Sequence, residues 1–229
     1  MTEKRNDIEG MRTIACFMVI FFHFFPTIFS GGYIGVDIFL VISGYLMTEI
    51  LLKEFKINKK VLIKNFIFKR FLRIFPALTI VTIISLPLAM LIIPPNLLLN
   101  YVDSLIGATL FLSNFIFWNQ SGYFDVYSEL KPLLHTWSLS LEFQFYFFYV
   151  IFFSLLIRLF SLKLLEAIII VLVLNFLFCG FATSLYPGAS FYLLPTRIWE
   201  FFAGALIACL LQKKFQIKSN KIINLFDLI

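Results

Sequence analysis

Long apolar runs constrain this chain more than any other feature of its sequence. Residues 74–93 contain no charged side chain, and five further runs have a similar length and character. A helix needs about 20 such residues to cross the hydrocarbon core of a bilayer. Because only helices and closed barrels satisfy their backbone polar groups in lipid, the runs predict an all-α, polytopic transmembrane helical bundle. Charged residues make up only 14% of the chain, against about 25% in soluble domains.

The distribution of charge predicts the topology. We expect crossings at residues 11–29, 33–52, 74–93, 137–157, 164–182 and 194–211, whereas the apolar segment 101–118 is doubtful because it contains Asp103, Ser104, Ser113 and Asn114. All but two of the 19 basic residues fall in four clusters, within 4–12, 53–73, 158–163 and 213–221. If the N-terminus is cytoplasmic and 101–118 is a re-entrant or surface helix, all four clusters face the cytoplasm, as the positive-inside rule requires. The segment 53–73 is then a cytoplasmic loop or an interfacial helix, and only Lys131 and Arg197 lie elsewhere.

The spacing of the cysteine and histidine residues argues against a metal centre. The three cysteines all lie in apolar runs without a CxxC pair, and the two histidines form no HExxH motif. We therefore predict no metal and no bound cofactor. The positive-inside bias accounts for the net charge of +6 better than a nucleic-acid partner does. We interpret residues 1–229 as one transmembrane domain without a soluble domain.

Polar residues inside the apolar runs are the first candidates for function. Arg12 and His23 are eleven residues apart, so on one helix they share a face, with His23 about 16 Å further along, in the outer half of the membrane. Other ionisable residues enter from the outer side: Asp37, His135, Glu142, Arg197 and Glu200. Such residues usually line a cavity and have a function. The alternative is that they only join helices through hydrogen bonds.

Basic residues on the cytoplasmic side suggest a different chemistry. Arg70 and Arg73 are three residues apart and project from one helix face, next to Lys69. Guanidinium pairs suit phosphate oxygens. From spacing alone, binding of anionic lipid or enforcement of topology is the better interpretation.

Five motifs, in order along nearly the entire chain, resemble the membrane acyltransferase-3 family. Arg12 and His23 match its Arg-x10-His pair. YIGVDIFLVISGYL resembles GVDxFFxxSGF, and FKRFLRIFP resembles RxxR-I-x-P. LLHTWSLSLEFQFY resembles HTWSLSxExQFY, and PTRIWEFFAGALIA resembles TRxWExxxGALLA.

The resemblance implies a bacterial inner-membrane O-acetyltransferase. Such an enzyme transfers an acyl group, commonly acetyl, from coenzyme A to a hydroxyl of an extracytoplasmic glycan, such as O-antigen or another surface polysaccharide. It implies that His23 is catalytic with Arg12 as its helix-mate, and that Asp37 and Glu142 line the site. It also implies that Arg70 and Arg73 bind the phosphates of the donor, acetyl-CoA.

The chemistry of this transfer suggests roles for the remaining candidates. A neutral His23 can take the proton of the acceptor hydroxyl as it attacks the thioester, and a covalent acyl-histidine is the less favoured variant. A nearby carboxylate stabilises the imidazolium. Trp137 and Ser138 are equal candidates to donate a hydrogen bond to the developing oxyanion. Further site candidates are His135, Arg197 and Glu200.

Two departures from the family pattern keep other functions open. The signature often has two adjacent acids, and here the second is Phe143. The family usually has about ten crossings, so a chain of 229 residues with six is expected to be a truncated member or a fragment. A transporter of a lipid-linked saccharide is an alternative, although no inverted repeat is visible. An inactive acyltransferase remnant is another, and the oligomeric state stays open.

Overall fold

A computed structural model describes residues 5–58, 63–121, 131–160 and 164–226. Within these residues the secondary structure is helical and no strand is present, which confirms the all-α prediction. Of the predicted basic clusters, Lys4, Lys59, Lys60 and Lys163 lie outside the described residues. The α-helices, in order, are α1 Asn6–Phe24, α2 Ile34–Asn58, α3 Ile63–Ile92, α4 Leu98–Thr109, α5 Ser113–Gln120, α6 Thr136–Phe160, α7 Leu164–Leu185, α8 Pro187–Tyr192 and α9 Leu194–Phe226, with a 3₁₀ turn at Pro95–Leu97 before α4.

Five of the described helices are long and apolar enough to cross a membrane: Ile34–Ile57, Ile63–Ile92, Thr136–Leu156, Leu164–Leu185 and Leu194–Gln212. They correspond to five of the six predicted crossings. The sixth, α1, differs from its predicted range of 11–29 because it begins at Asn6 and has 19 residues. Asp7, Glu9 and Arg12 all lie within α1, and the helix ends at Phe24. The N-terminal helix is therefore shifted toward the charged end of the chain.

The basic segment 53–73 is helical on both sides of residues 59–62, so the expectation of a loop is wrong for its described residues, which are helical. α2 continues through Asn58, and α3 begins at Ile63. Lysine and glutamate are good helix formers, and Lys53 forms a 2.6 Å ion pair with Glu49 one turn earlier. The helices therefore extend beyond the residues that hydropathy marks as apolar.

The doubtful segment 101–118 is broken into two short helices. α4 has 12 residues and α5 has 8, lengths of about 18 and 12 Å, well below the about 30 Å of hydrocarbon. The break lies at Leu110–Leu112, where the amide of Leu112 donates to the carbonyl of Gly107 at 2.7 Å. Phe111 has a φ of 57°, in the left-handed region. Neither helix is long enough to cross alone, as the re-entrant interpretation requires.

The described chain divides into two compact units. The first contains residues 1–59, 156–174 and 199–229, and the second contains residues 60–155 and 175–198. The first unit therefore holds α1, α2 and most of α9. The second holds α3 to α5, most of α6, α8 and the second half of α7.

Glycines set the helix contacts of the first unit. In the hairpin of α1 and α2, a Cβ at Gly35 would overlap the carbonyl of Ala15, and one at Gly32 would overlap the carbonyl of Met18. Where α2 meets α9, a Cβ at Gly204 would overlap the backbone of Val41 in the same way. Small residues let helix backbones approach closely, a common means of helix association in membranes.

Candidate active site

His23 lies in the last turn of α1, just before the chain turns toward α2. The helix is continuous from Asn6, so Arg12 and His23 do share a face as their spacing predicts. His23 is exposed, with its ring 5.1 Å from that of Phe22, which meets Tyr33 edge-on at 5.9 Å. The histidine therefore sits at the helix end, and not six residues inside it as the predicted range of 11–29 implied.

Arg12 is half-buried on the same helix face. Its Nε atom is buried and has no hydrogen-bond acceptor among the described residues. An unsatisfied donor on a guanidinium is unfavourable in a low-dielectric environment. Arg12 is therefore suited to an anionic or carbonyl oxygen supplied by a substrate.

Asp37 lies in the first turn of α2, half-buried. The hairpin places Gly35 beside Ala15 and Val19, so Asp37 is roughly level with residue 15, about 12 Å along α1 from His23. Asp37 is also two residues beyond Gly35, which turns it to the opposite face of α2.

The α2–α9 interface instead carries two of the predicted carboxylates. Asp37 is seven residues before Gly44, so it shares the α2 face on which Gly44 contacts the carbonyl of Phe201. Glu200 is fully buried and four residues before Gly204, so it shares the α9 face that contacts α2. Asp37 and Glu200 thus belong to facing surfaces in the first unit.

In the second unit, α6 presents the predicted residues on one face. Ser138, Glu142 and Tyr146 follow at intervals of four. The hydroxyl of buried Tyr146 donates a hydrogen bond to Oε1 of half-buried Glu142. Ser138 donates to the carbonyl of His135 at 3.2 Å, and His135 is exposed just before the helix begins. Tyr146 was missed as a site residue, although the HTWSLSLEFQFY motif ends on it.

The opposite face of α6 forms a buried polar network that sequence reasoning did not assign. Ser140 Oγ lies 2.7 Å from Ser113 Oγ and also accepts from the Ser113 amide. Gln144 Nε2 donates to Asn114 Oδ1 and to the carbonyl of Phe111, both at 2.8 Å. We name these four side chains, Ser113, Asn114, Ser140 and Gln144, the amide–serine network. Its sequence signals were the polar character of residues 113 and 114 in an apolar segment, and the presence of Ser140 and Gln144 in the HTWSLSLEFQFY motif.

The packing around Phe143 gives a physical reason why this chain has no second acid at that position of the motif. Its ring stacks on Phe111 with 4.1 Å between centroids, and Phe71 meets both rings edge-on at 6.3 Å. Position 143 thus faces an aromatic cluster that packs on the left-handed turn between α4 and α5. A carboxylate here would be desolvated, and phenylalanine satisfies the packing instead.

Trp137 and Arg197 are brought together by the structure. The guanidinium of Arg197 lies 5.8 Å from the centre of the Trp137 ring and 5.2 Å from that of Phe191, and its Nε donates to the Phe191 carbonyl at 3.2 Å. Trp137 is buried against Phe191 and Tyr192. Arg197 therefore braces the start of α6 against α8. Neither Trp137 nor Ser138 is favoured as the oxyanion donor by these contacts.

Arg70 and Arg73 lie in the second and third turns of α3, which begins at Ile63, and they are three residues apart as predicted. Arg70 is half-buried with its guanidinium 5.8 Å from the centre of the Phe66 ring, and Arg73 is exposed. The site candidates are divided between the two compact units. The first unit contains Arg12, His23, Asp37 and Glu200, and the second contains Arg70, Arg73, His135, Trp137, Ser138, Glu142 and Arg197. Among the described residues, no three His, Cys, Asp or Glu side chains cluster as metal ligands would.

Membrane-length helices with ionisable residues on their packed faces define a polytopic membrane protein. Residues 5–226 match the acyltransferase-3 family, an acyltransferase domain, and the chain belongs to this family. The resemblance seen in the five motifs is therefore confirmed.

Two relatives show what the chain is similar to. It is 34% identical over 210 residues to the peptidoglycan O-acetyltransferase OatA of Listeria monocytogenes, covering 88% of this chain and 33% of the relative. It is 29% identical over 235 residues to the O-acetyltransferase OatA of Staphylococcus aureus, covering 97% of this chain and 38% of the relative. The chain thus spans about a third of the length of these relatives. Comparison with solved structures finds no significant match.

Proposed function

We propose that this chain is a membrane O-acyltransferase that moves an acetyl group from acetyl-CoA to a hydroxyl of an extracytoplasmic glycan. The observation that carries the proposal is the family match over residues 5–226, which includes an α1 helix with Arg12 and His23 on one face. The relatives named O-acetyltransferases support acetyl as the group transferred.

The glycan is proposed to belong to the cell wall. One relative is named a peptidoglycan O-acetyltransferase, which favours a wall glycan over O-antigen as the acceptor. The four basic clusters support a location in the bacterial cytoplasmic membrane with a cytoplasmic N-terminus. In this topology the donor approaches Arg70 and Arg73 from the cytoplasm, and His23 lies at the outer end of α1.

The proposed reaction is a direct acyl transfer. His23 takes the proton of the acceptor hydroxyl, the hydroxyl oxygen forms a bond to the acetyl carbonyl carbon, and the carbon–sulfur bond breaks. Coenzyme A leaves as the thiol after it receives a proton. Arg70 and Arg73 bind the donor phosphates, and Glu142, held by Tyr146, lines the site.

Replacement of His23 tests the proposal. His23→Gln retains hydrogen bonding but cannot accept the proton at neutral pH, so transfer of labelled acetyl from acetyl-CoA to wall glycan should fall at least about 100-fold. His135→Gln is the matched control, because His135 is also exposed and lies at a helix end. It should retain most of the activity at equal protein levels in the membrane.

Three results would count against this assignment. Normal transfer by His23→Gln would make the imidazole structural and move the search for a base to Asp37, Glu142 and Glu200. Movement of a lipid-linked saccharide across the membrane without acetylation would support the transporter. Absence of both activities in the unaltered chain would favour an inactive form.

A further inference from the structure

The hydrogen bond between Tyr146 and Glu142 lies within one helix. Tyr146 is buried and comes one turn after half-buried Glu142 on α6. Helical side chains lean toward the start of their helix, so the tyrosine ring reaches back over the carboxyl group. Its hydroxyl donates to Glu142 Oε1. Because donor and acceptor belong to the same helix, this bond does not hold one helix against another.

Other side-chain hydrogen bonds of the second unit do join helices. The hydroxyl of buried Tyr101 on α4 lies 2.9 Å from Ser85 Oγ on α3, and the amide–serine network joins α5 to α6. The first of these bonds shows that a neutral serine is enough to satisfy a buried tyrosine hydroxyl in this unit. A carboxylate is far more costly to bury than a serine. The hydroxyl of Tyr146 therefore does not account for the presence of Glu142.

The turn of α6 that carries Glu142 packs beside the arginine pair of α3. Phe143 follows Glu142 in the chain, and its ring meets the Phe71 ring edge-on at 6.3 Å. Phe71 lies between Arg70 and Arg73 in the sequence of α3. The carboxylate and the two arginines proposed to bind the donor phosphates are therefore on neighbouring turns of two helices in contact.

We propose that Tyr146 is a positioning residue for acyl transfer, whose hydroxyl fixes the direction of the Glu142 carboxylate. A glutamate side chain turns about several torsions, and a charge-assisted hydrogen bond from a buried phenol removes most of that freedom. Glu142 supplies the charge, and Tyr146 supplies its orientation. The inference rests on the proposed function, in which Glu142 lines the site.

Tyr146→Phe tests the inference, because it removes the hydroxyl and keeps the ring. With the full chain in phosphatidylcholine nanodiscs, labelled acetyl-CoA and soluble peptidoglycan fragments, kcat should fall about tenfold while KM for acetyl-CoA stays within about twofold. Tyr101→Phe is the matched control, since it removes the hydroxyl of another buried tyrosine in the same unit. It should leave kcat and KM unchanged.

A second set of variants distinguishes positioning from a loss of stability. In a Glu142→Gln background, Tyr146→Phe should lower kcat less than about twofold, because the charge that it orients is already absent. Glu142→Asp keeps the charge but withdraws it from the hydroxyl, so it should lose about as much as Tyr146→Phe, and the two together little more than either alone. A role in stability would instead lower transfer by the same factor in every background.

Chemical modification gives a readout that needs neither donor nor acceptor. Dicyclohexylcarbodiimide is an apolar reagent that modifies carboxyl groups within membranes, and mass spectrometry of the peptide that contains Glu142 measures the rate. This rate should rise about fivefold in Tyr146→Phe, because Oε1 is no longer hydrogen-bonded to the phenol. It should stay unchanged in Tyr101→Phe.

Three results would overturn the inference: a normal kcat in Tyr146→Phe, an equal loss in the Glu142→Gln background, or an unchanged rate of modification. Absence of acetyl transfer by the unaltered chain would count against the proposed function instead. The modification rate would still show whether Tyr146 fixes the Glu142 carboxylate, so the two failures are distinguishable.

Discussion

The two compact units join their helices by different means. In the first unit, α2 meets α9 at Gly44 and Gly204, where backbone lies against backbone without side chains between. In the second unit, α5 meets α6 through the amide–serine network. The first kind of contact depends on shape, and the second depends on hydrogen-bond partners.

This difference bears on which polar residues signal function. In the second unit, Ser113, Asn114, Ser140 and Gln144 are needed to hold the broken α4–α5 segment on α6, so their polarity has a structural cause. In the first unit, Gly44 and Gly204 bring the backbones of α2 and α9 close together, and Asp37 and Glu200 lie on the same surfaces. The close approach of α2 and α9 at these glycines does not itself require a polar side chain, whereas the contact of α5 with α6 does.

The largest effect, on the yield of folded protein, is expected at the close backbone contact between α2 and α9. Gly204→Val places side-chain atoms on the Val41 carbonyl and the Tyr45 amide, and backbone cannot yield as a flexible side chain can. We expect loss of monodisperse protein in size-exclusion chromatography after detergent extraction. Gly180→Val is the matched control, since a Cβ there meets nothing within 4 Å. Equal yields of the two variants would show that the α2–α9 contact is not close-packed.

The next largest effect is expected on acetyl transfer, and it distinguishes the face of α6 that carries Glu142 from the opposite face. Glu142→Gln keeps an acceptor for the Tyr146 hydroxyl but removes the charge, so acetyl transfer should fall about 100-fold, or about 2.7 kcal/mol of transition-state stabilisation. The melting temperature should change little. A variant that melts early in proportion to its lost activity would place Glu142 with the structural residues.

On the opposite face, the expected effect is on stability. Gln144→Leu leaves the Phe111 carbonyl and Asn114 Oδ1 without their donor, which should cost about 2 kcal/mol of unfolding free energy. The double variant with Asn114→Leu should lose less than the sum of the single variants, because the two amides bond each other. Strict additivity in chemical denaturation would contradict the network.

Sequence patterns predicted the elements of the fold well, because a run of apolar residues specifies a membrane helix by itself. The predicted crossings begin within one residue of the observed start for α2, α6, α7 and α9. Helix ends were less predictable, since hydropathy marks the edge of the hydrocarbon and not the end of backbone hydrogen bonding. This is why α3 begins eleven residues before its predicted range, at Ile63.

Parts of the site were predictable only within one helix. The shared face of Arg12 and His23 follows from their spacing on α1, and so does the shared face of Ser138 and Glu142 on α6. The partners across helices did not follow, because Ser113 and Ser140 are 27 residues apart in the chain and no local pattern pairs them. The left-handed conformation of Phe111 was likewise hidden, since residue preference argues for glycine at such a position.

The smallest expected effect concerns Phe143, where the family motif often has an acid. Phe143→Leu keeps an apolar side chain of similar size but loses the stacking on Phe111, so stability should fall by about 1 kcal/mol while acetyl transfer per folded molecule stays unchanged. Phe143→Glu restores the acid of the motif but buries a carboxylate among Phe71 and Phe111, so it should destabilise the chain more than leucine does. Thermal unfolding and transfer assays on the same preparations distinguish a loss of stability from a change in the rate of acetyl transfer. If Phe143→Glu instead raised the transfer rate without loss of stability, position 143 would belong to the catalytic face of α6, and the division of that helix into a structural and a chemical face would be wrong.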